Sequence, residues 1–142
     1  MKNAVVADAG SFAARFGFKG EDVPCGWFPA SVGVIESSSS SSSSSNKGSV
    51  YHFDINNFRE HMNICNPTES SGKTVDWDLF EGIYMHAYEK YLKVGLDEQP
   101  LYVTEKACDL AGEQQALNHR KKMAELMYES HNVPSMYFGK DA

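Results

Sequence analysis

The chain has 142 residues, of which 42% are hydrophobic and 23% are charged, a balance typical of one globular domain with its own core. Its formal net charge of -6 argues against a free-standing nucleic-acid binder, because such proteins usually present a basic face. No apolar run approaches the roughly 20 residues of a membrane-spanning helix, and no signal-type leader precedes the first strand, so we expect a cytosolic or nuclear protein without a membrane partner.

The first predicted element is a hairpin of two short strands joined by the turn at residues 8–11. A valine pair that begins at Val5 favours a buried strand, and Phe16 and Phe18 alternate with a glycine in the next strand. Gly10 accepts a positive φ without steric cost, so we expect the chain to reverse direction there.

The same turn carries groups that suit a phosphate. It is predicted to bring Asp8, the Ser11 hydroxyl and several backbone N–H groups toward one point. A nest of N–H donors binds anions, and a neighbouring carboxylate can hold a hydrated Mg²⁺. A hairpin turn without a ligand is the alternative, because a short glycine motif is a weak signal by itself.

Residues 25–55 are predicted to form strands that are interrupted by a proline and by a serine run. Residues 25–34 favour a strand broken at Pro29, with Trp27 and Phe28 in or near the core. The unbroken serine run has nothing apolar to bury, so we expect a disordered insertion over about 36–49, within one domain spanning 1–142. Residues 50–55 then alternate like a short strand.

Two amphipathic helices are predicted in the second half of the chain. The first runs over residues 77–92, is capped by Asp76 and ends before Gly95. The second runs over residues 118–130. Further short strands are predicted at 101–104 and 135–138. Strands that alternate with helices predict an α/β sheet covered by helices.

Cysteine and histidine are too scattered to indicate a disulfide framework or a metal site. The three cysteines, Cys25, Cys65 and Cys108, lie far apart and form no Cys-x-x-Cys pair. This usage favours free thiols in a reducing compartment. No histidine is followed by another four residues later, so the sequence predicts no zinc site.

Several segments in the same order together resemble the actin superfamily. Residues 6–20 are similar to the first phosphate loop of that family, an Asp-x-Gly-Ser turn followed by a basic residue and a glycine-containing strand. Further similar segments lie at 20–24, 28–29, 101–105 and 122–137. The resemblance implies an α/β, actin-like (ribonuclease H-like) ATPase fold, of which this chain holds the first half only, with a mixed sheet flanked by helices.

Within the superfamily, the chain is most similar to the fourth class of nuclear actin-related proteins, found in chromatin-remodelling and histone-acetyltransferase complexes. The similar segments are 59–62, 76–78 and 140–142. This likeness implies a nuclear, nucleotide-binding structural subunit. The implied partners are the other subunits of such a complex and actin itself, without direct contact to nucleic acid.

The resemblance also implies a nucleotide site with ATP and Mg²⁺ as cofactors. Asp8 would hold the metal through water, and the nucleotide-binding residues would be Asp8, Ala9, Gly10, Ser11, Phe12 and Arg15. Phe12 stands where the family has a small glycine, and Arg15 stands where actin has a lysine. No catalytic residue is implied. Asp141 occupies the place of the actin glutamine that orients the attacking water, so we expect ATP hydrolysis to be weak or absent.

Two alternative functions remain open from the sequence. The first is a cytoplasmic, cytoskeletal actin-like ATPase that polymerises, although the serine insertion replaces the loop that actin uses in filaments. The second is a non-functional truncated chain, because the second phosphate loop, the adenosine-binding segment and the closing helix of the family have no counterpart here. We therefore expect a natural fragment or a truncated gene model.

Overall fold

The computed structural model describes residues 3–36, 48–55, 59–105 and 112–140. The strands are β1 (Val5–Ala9), β2 (Ala13–Phe18), β3 (Gly26–Pro29), β4 (Val32–Glu36), β5 (Ser49–His52), β6 (Asn63–Cys65), β7 (Leu101–Glu105) and β8 (Met136–Lys140). The helices are α1 (Trp77–Ala87) and α2 (Glu113–Glu125), which continue as π-helical turns over Tyr88–Leu92 and Leu126–Ser130.

The larger sheet has five strands in the order β3-β2-β1-β7-β8. Its first three strands pair antiparallel, whereas β1, β7 and β8 run parallel to one another. Parallel neighbours need a crossover connection, and α2 supplies it between β7 and β8. This mixed sheet with two helices confirms the predicted α/β class.

Both helices pack on the same face of this sheet. Alternate residues of the central strands are completely buried there, among them Val5, Ala7 and Phe16. One continuous core joins them to Ile83 on α1 and to Met123 on α2. The opposite face of the sheet is left more exposed, and it carries the side chains that alternate with the core residues.

The prediction that Trp27 lies in or near the core is wrong, whereas the same prediction for Phe28 is confirmed. Trp27 is 68% exposed and Phe28 is 2% exposed. Both belong to the edge strand β3, where successive side chains point to opposite faces of the sheet. Phe28 stacks on Phe16 of the neighbouring strand, so its face is the one that the helices cover.

A smaller sheet, in the order β5-β4-β6, is joined to α1 by two neighbouring residues that follow β5. The ring of Phe53 occupies a space beside Gly82 that a Cβ atom there would fill. Asp54 accepts hydrogen bonds from Lys90, at 2.6 Å, and from the Tyr91 hydroxyl. Burial alone would raise the pKa of Asp54, but these two hydrogen bonds together with the charges of Lys90 and His86 outweigh it and lower that pKa.

The predicted serine insertion falls largely outside the described residues, since residues 37–47 are not among them. Its flanks belong to strands, because Glu36 of β4 pairs with Ser49 of β5. The predicted strand at 50–55 is therefore confirmed in shortened form, as β5 ends at His52.

Deleting the serine run at 37–45 is expected to change the melting temperature by less than about 5 °C, because loop closure depends only weakly on loop length. Residues 46–48 would remain between Glu36 and Ser49, and three residues suffice for a hairpin because these two strand ends are paired. Calorimetry of the deleted and intact chains measures the shift, and a large loss of stability would show that the run packs against the fold.

The helix predicted over residues 77–92 is confirmed, because α1 and its π-helical continuation end at Leu92. The Asp76 carboxylate accepts hydrogen bonds from the N–H groups of Asp78 and Leu79, both at 3.1 Å, and so caps the helix. Lys93, which is left-handed with φ 54, follows the last helical residue and ends the helix two residues before Gly95. In the described part of the chain, no helix is long and apolar enough to cross a membrane.

The second helix begins five residues earlier than predicted, at Glu113 instead of Asn118. Its first turn contains no buried residue, so the apolar period on which the prediction relied is absent there. The sequence Glu-Gln-Gln-Ala-Leu is nonetheless composed of strong helix formers, and their intrinsic propensity explains the longer helix.

Candidate functional site

A cavity of about 350 Å³ opens at the carboxyl ends of β1 and β7. The turn after β1, the loop at 68–74, and side chains of α1 and α2 form its walls. In α/β sheets, ligands bind in the crevice outside the carboxyl ends of the parallel strands. The position of this cavity in the fold is therefore that of a binding site.

The turn that forms one wall is shaped by a close backbone contact. The N–H of Gly10 donates to the Ala13 carbonyl at 3.1 Å, and a Cβ atom at Gly10 would lie 3.2 Å from that carbonyl oxygen. The predicted positive φ at Gly10 is wrong, since only Gly20 and Gly72 have a positive φ among the described glycines. Gly10 serves the turn through its lack of a side chain.

Three donors of the turn have no acceptor in the part of the chain that the structure describes. They are the N–H groups of Ser11 and Phe12 and the Ser11 hydroxyl. Phe12 lines the cavity and is 86% exposed, so its side chain is not packed into the core. Adjacent free N–H groups of this kind are able to bind an anion, so this geometry allows the nest that the sequence predicts, which stays a prediction.

Both carboxylate oxygens of Asp8 are engaged by neighbours. The Thr104 hydroxyl donates to Oδ1 at 3.0 Å, and Arg15 approaches Oδ2 with Nη1 at 3.4 Å. The ion pair is exposed, with 54% of the Arg15 side chain accessible, so the pairing is weak and Arg15 can turn to another anion. The predicted residues all line the one cavity, namely Asp8, Ala9, Gly10, Ser11, Phe12 and Arg15.

Another part of the cavity wall contains a half-buried histidine. His119 on α2 lies 2.9 Å from the Thr74 hydroxyl and packs against the Trp77 ring at 5.0 Å between centroids. Burial lowers the pKa of His119, and the nearby Glu105 carboxylate only partly opposes this effect. The contact ties the loop at 68–74 to α2 and so fixes the shape of this wall.

The profile of the Actin family matches residues 1–142 of the chain. The chain belongs to the actin family. The resemblance inferred from the sequence is thereby confirmed, and the two helices and the mixed sheet are the corresponding part of an actin-like fold.

The relatives it matches are actin-related proteins. Actin-related protein 4 of Oryza sativa subsp. indica is 28% identical over 165 residues, which cover 99% of this chain and 36% of the relative. The protein of the same name from Arabidopsis thaliana is 29% identical over 161 residues, which cover 98% of this chain and 35% of the relative. The chain thus spans about a third of the length of these relatives, and the fourth-class likeness is confirmed over that portion.

The residues at the turn of this actin-family chain fit a hydrated Mg²⁺. Within the described ranges, no three His, Cys, Asp or Glu side chains cluster so as to hold a metal between them. Asp8 is the carboxylate at the turn, and Mg²⁺ keeps several waters when one or two carboxylates and the substrate phosphates bind it. A metal held by Asp8 through water is consistent with this arrangement.

Sequence reasoning missed several residues of the actin-family cavity. Thr104, Lys73 and His119 line it, although each belongs to a segment distant in sequence from the turn. Lys73 has no ion-pair partner among the described side chains, so its charge is available to an anion. Thr104 lies in the segment similar to the actin strand that ends in Thr-Glu, which is the one signal that could have identified it.

Acidification from pH 7 to pH 5 is expected to destabilise the chain, partly through the half-buried histidines His86 and His119. Burial is the main cause that lowers the pKa of His119 and of His86 from the ordinary value of 6.5. As the pH falls below 6.5, the unfolded chain takes up protons before the folded chain does. The contribution of these neutral histidines to the free energy of unfolding is therefore fully present above pH 6.5 and is lost as the pH falls below it.

The His119→Gln variant is expected to show a shallower loss of melting temperature over the same pH range, because glutamine does not titrate. Thermal denaturation at several pH values measures both slopes. An unchanged slope in this variant would contradict the assignment to His119.

Proposed function

We propose that the protein is a nucleotide-binding, actin-related structural subunit of a nuclear chromatin-remodelling or histone-acetyltransferase complex. The single observation that carries the nucleotide part is the turn at residues 8–15, with free donors beside a carboxylate at the carboxyl ends of parallel strands. The similarity to proteins named Actin-related protein 4 supports the choice of this class over conventional actin.

The ligand of the site is ATP with Mg²⁺. The N–H groups of Ser11 and Phe12 and the Ser11 hydroxyl bind phosphate oxygens, since each is an unused donor of a residue that lines the cavity. Asp8 holds the waters of the metal, and its carboxylate is already oriented by Thr104. Arg15 and Lys73 add positive charge on two sides of the phosphates.

Hydrolysis of the bound ATP is slow or absent in this proposal. The two candidate bases on the inner side of the cavity have other partners: Glu105 accepts hydrogen bonds from Arg120 at 2.7 and 2.9 Å, and His119 is bonded to Thr74. Asp141, whose acidic character motivates the same expectation, lies outside the described residues. The bound nucleotide would accordingly have a structural role.

The experiment is purification of the tagged protein, at its natural full length, from nuclear and cytoplasmic extracts. We expect the nuclear fraction to carry the protein together with remodelling or acetyltransferase subunits and actin, as identified by mass spectrometry. Sedimentation of the purified protein with Mg–ATP tests the alternative. Filaments in the pellet together with a cytoplasmic location would favour a polymerising cytoskeletal ATPase and contradict the proposal.

A further inference from the structure

The loop at 68–74 is a short hairpin whose base is buried and whose tip is mostly exposed. Thr68 and Thr74 pair across the base, and each is 6% exposed. At the tip, the N–H of Glu69 donates to the Lys73 carbonyl at 2.9 Å, and both residues are exposed. Because the tip buries little surface, the contacts of the base decide where the hairpin lies beside the cavity.

The base is fastened to α2 by the hydrogen bond between Thr74 and His119. The Nε2 atom of His119 lies 2.9 Å from the Thr74 hydroxyl oxygen. The imidazole ring packs against two rings of α1, with its centroid 5.0 Å from that of Trp77 and 6.1 Å from that of Phe80. A side chain whose rotamer is fixed by packing holds its hydrogen-bond partner in a defined place, so Thr74 is tied to both helices.

Lys73 directly precedes Thr74 and lines the cavity together with the turn after β1. It has no ion-pair partner among the described side chains, whereas Arg15 lies 3.4 Å from the Asp8 carboxylate. Arg15 has to give up this pair to bind another anion, and Lys73 does not. The attraction between an ammonium group and a phosphate falls with distance, so it depends on where the Lys73 backbone is held.

We infer that His119 is a positioning residue of the nucleotide site, in an inference that rests on the proposed function. Its hydrogen bond to Thr74 holds the hairpin so that the Lys73 ammonium group reaches the phosphates of the bound nucleotide. His119 acts through these two residues and not by contact with the nucleotide. Loss of the hydrogen bond and loss of the ammonium group therefore remove the same contribution to binding, and their effects do not add.

The test is a double-mutant cycle of Thr74→Val and Lys73→Met in the protein at its natural full length. Valine keeps the branched shape of threonine without the hydroxyl, and the Lys73 side chain is exposed, so both variants are expected to fold. Calorimetry should show that each single variant binds Mg–ATP about threefold to tenfold more weakly, the range for one net interaction. In the double variant, the second substitution should change the affinity by less than about twofold.

Three further variants separate positioning from packing. His119→Phe keeps an aromatic ring and removes the same hydrogen bond, so it should weaken Mg–ATP binding as much as Thr74→Val does. Thr74→Ser keeps the hydroxyl and should bind like the unmodified protein. His131→Ala removes another histidine contact of α1, the pair with Glu81 at 2.6 Å, which does not line the cavity, and it should leave the affinity unchanged.

An unmodified protein that binds no Mg–ATP would refute the proposed function and the role of His119 with it. If the unmodified protein binds Mg–ATP, the inference alone fails when either Thr74→Val or Lys73→Met binds it equally well. Additive losses in the double variant would show that His119 does not act through Lys73. A loss of the same size in His131→Ala would show that lowered stability, and not positioning, weakens the binding.

Discussion

Replacing Asp8 with alanine is expected to weaken Mg–ATP binding at least about tenfold in the protein at its natural full length, because one carboxylate supplies the protein side of the hydrated metal. The Asp8 carboxylate is held at the carboxyl end of β1 by Thr104, at 3.0 Å from Oδ1. Its replacement removes a charge that is already in position, so the bound metal would lose its anchor.

The same substitution releases Arg15. The affinity for ATP without Mg²⁺ is therefore not expected to fall as the affinity for Mg–ATP does. Without the ion pair at 3.4 Å, the guanidinium is free to approach the phosphates. Binding of ATP in the presence of a chelator should therefore be unchanged or stronger in Asp8→Ala. The ratio of the affinities with and without Mg²⁺ should therefore fall by at least as large a factor as the affinity for Mg–ATP itself.

Asp22→Ala is the matched control, since Asp22 is exposed in the turn after β2 and does not line the cavity. Calorimetric titrations of the three proteins, with Mg²⁺ and with a chelator, measure all the affinities. If Asp8→Ala and Asp22→Ala bind Mg–ATP equally well, Asp8 has no role in holding the metal.

The hairpin was predictable from the sequence because its determinants are local. Ala9 pairs with Ala14, and the residues between them form the turn. The alternation of apolar residues in the two strands and the turn-forming residues can therefore both be recognised within about fifteen residues of sequence. The role of Gly10 was not predictable in the same way. A glycine is needed both for a positive φ and for a close approach, and composition alone does not distinguish the two reasons.

The inner wall of the cavity was not predictable, because it depends on contacts between distant segments. Thr104 and Asp8 are 96 residues apart in sequence and meet only because β1 and β7 pair in parallel. His119 reaches Thr74 across 45 residues, through the packing of α2 against the loop at 68–74. Both contacts require the topology of the sheet, which no local pattern specifies.

Burial was predicted less well than secondary structure at the edge of the sheet. Trp27 is large and apolar, but strand alternation places it on the face opposite Phe28. That face also carries Tyr137, which is 64% exposed on β8. The sequence could not show which face the helices cover, since the amphipathic stripes of α1 and α2 fit either side.

ATP is expected to bind only weakly to the 142-residue chain studied alone, with a dissociation constant on the order of millimolar or worse. The contacts available are the N–H groups of Ser11 and Phe12, the Ser11 hydroxyl, and the cations Arg15 and Lys73. Each is worth about 1 kcal/mol net in water, and association costs about 4 kcal/mol or more. The sum leaves little binding free energy. The chain spans 36% of the length of its relative, and in the proposed function it supplies only the contacts to the phosphates.

The same chain should show no ATPase activity, and it should associate at raised concentration through the exposed aromatic residues Phe12, Trp27 and Tyr137. Titration with ATP by nuclear magnetic resonance measures dissociation constants in the millimolar range, and light scattering measures association. The control is the protein at its natural full length, which is expected to bind at least a hundredfold more tightly, a difference of about 2.7 kcal/mol. Micromolar binding of ATP by the monomeric 142-residue chain would show that the turn and the cavity described here suffice for the nucleotide.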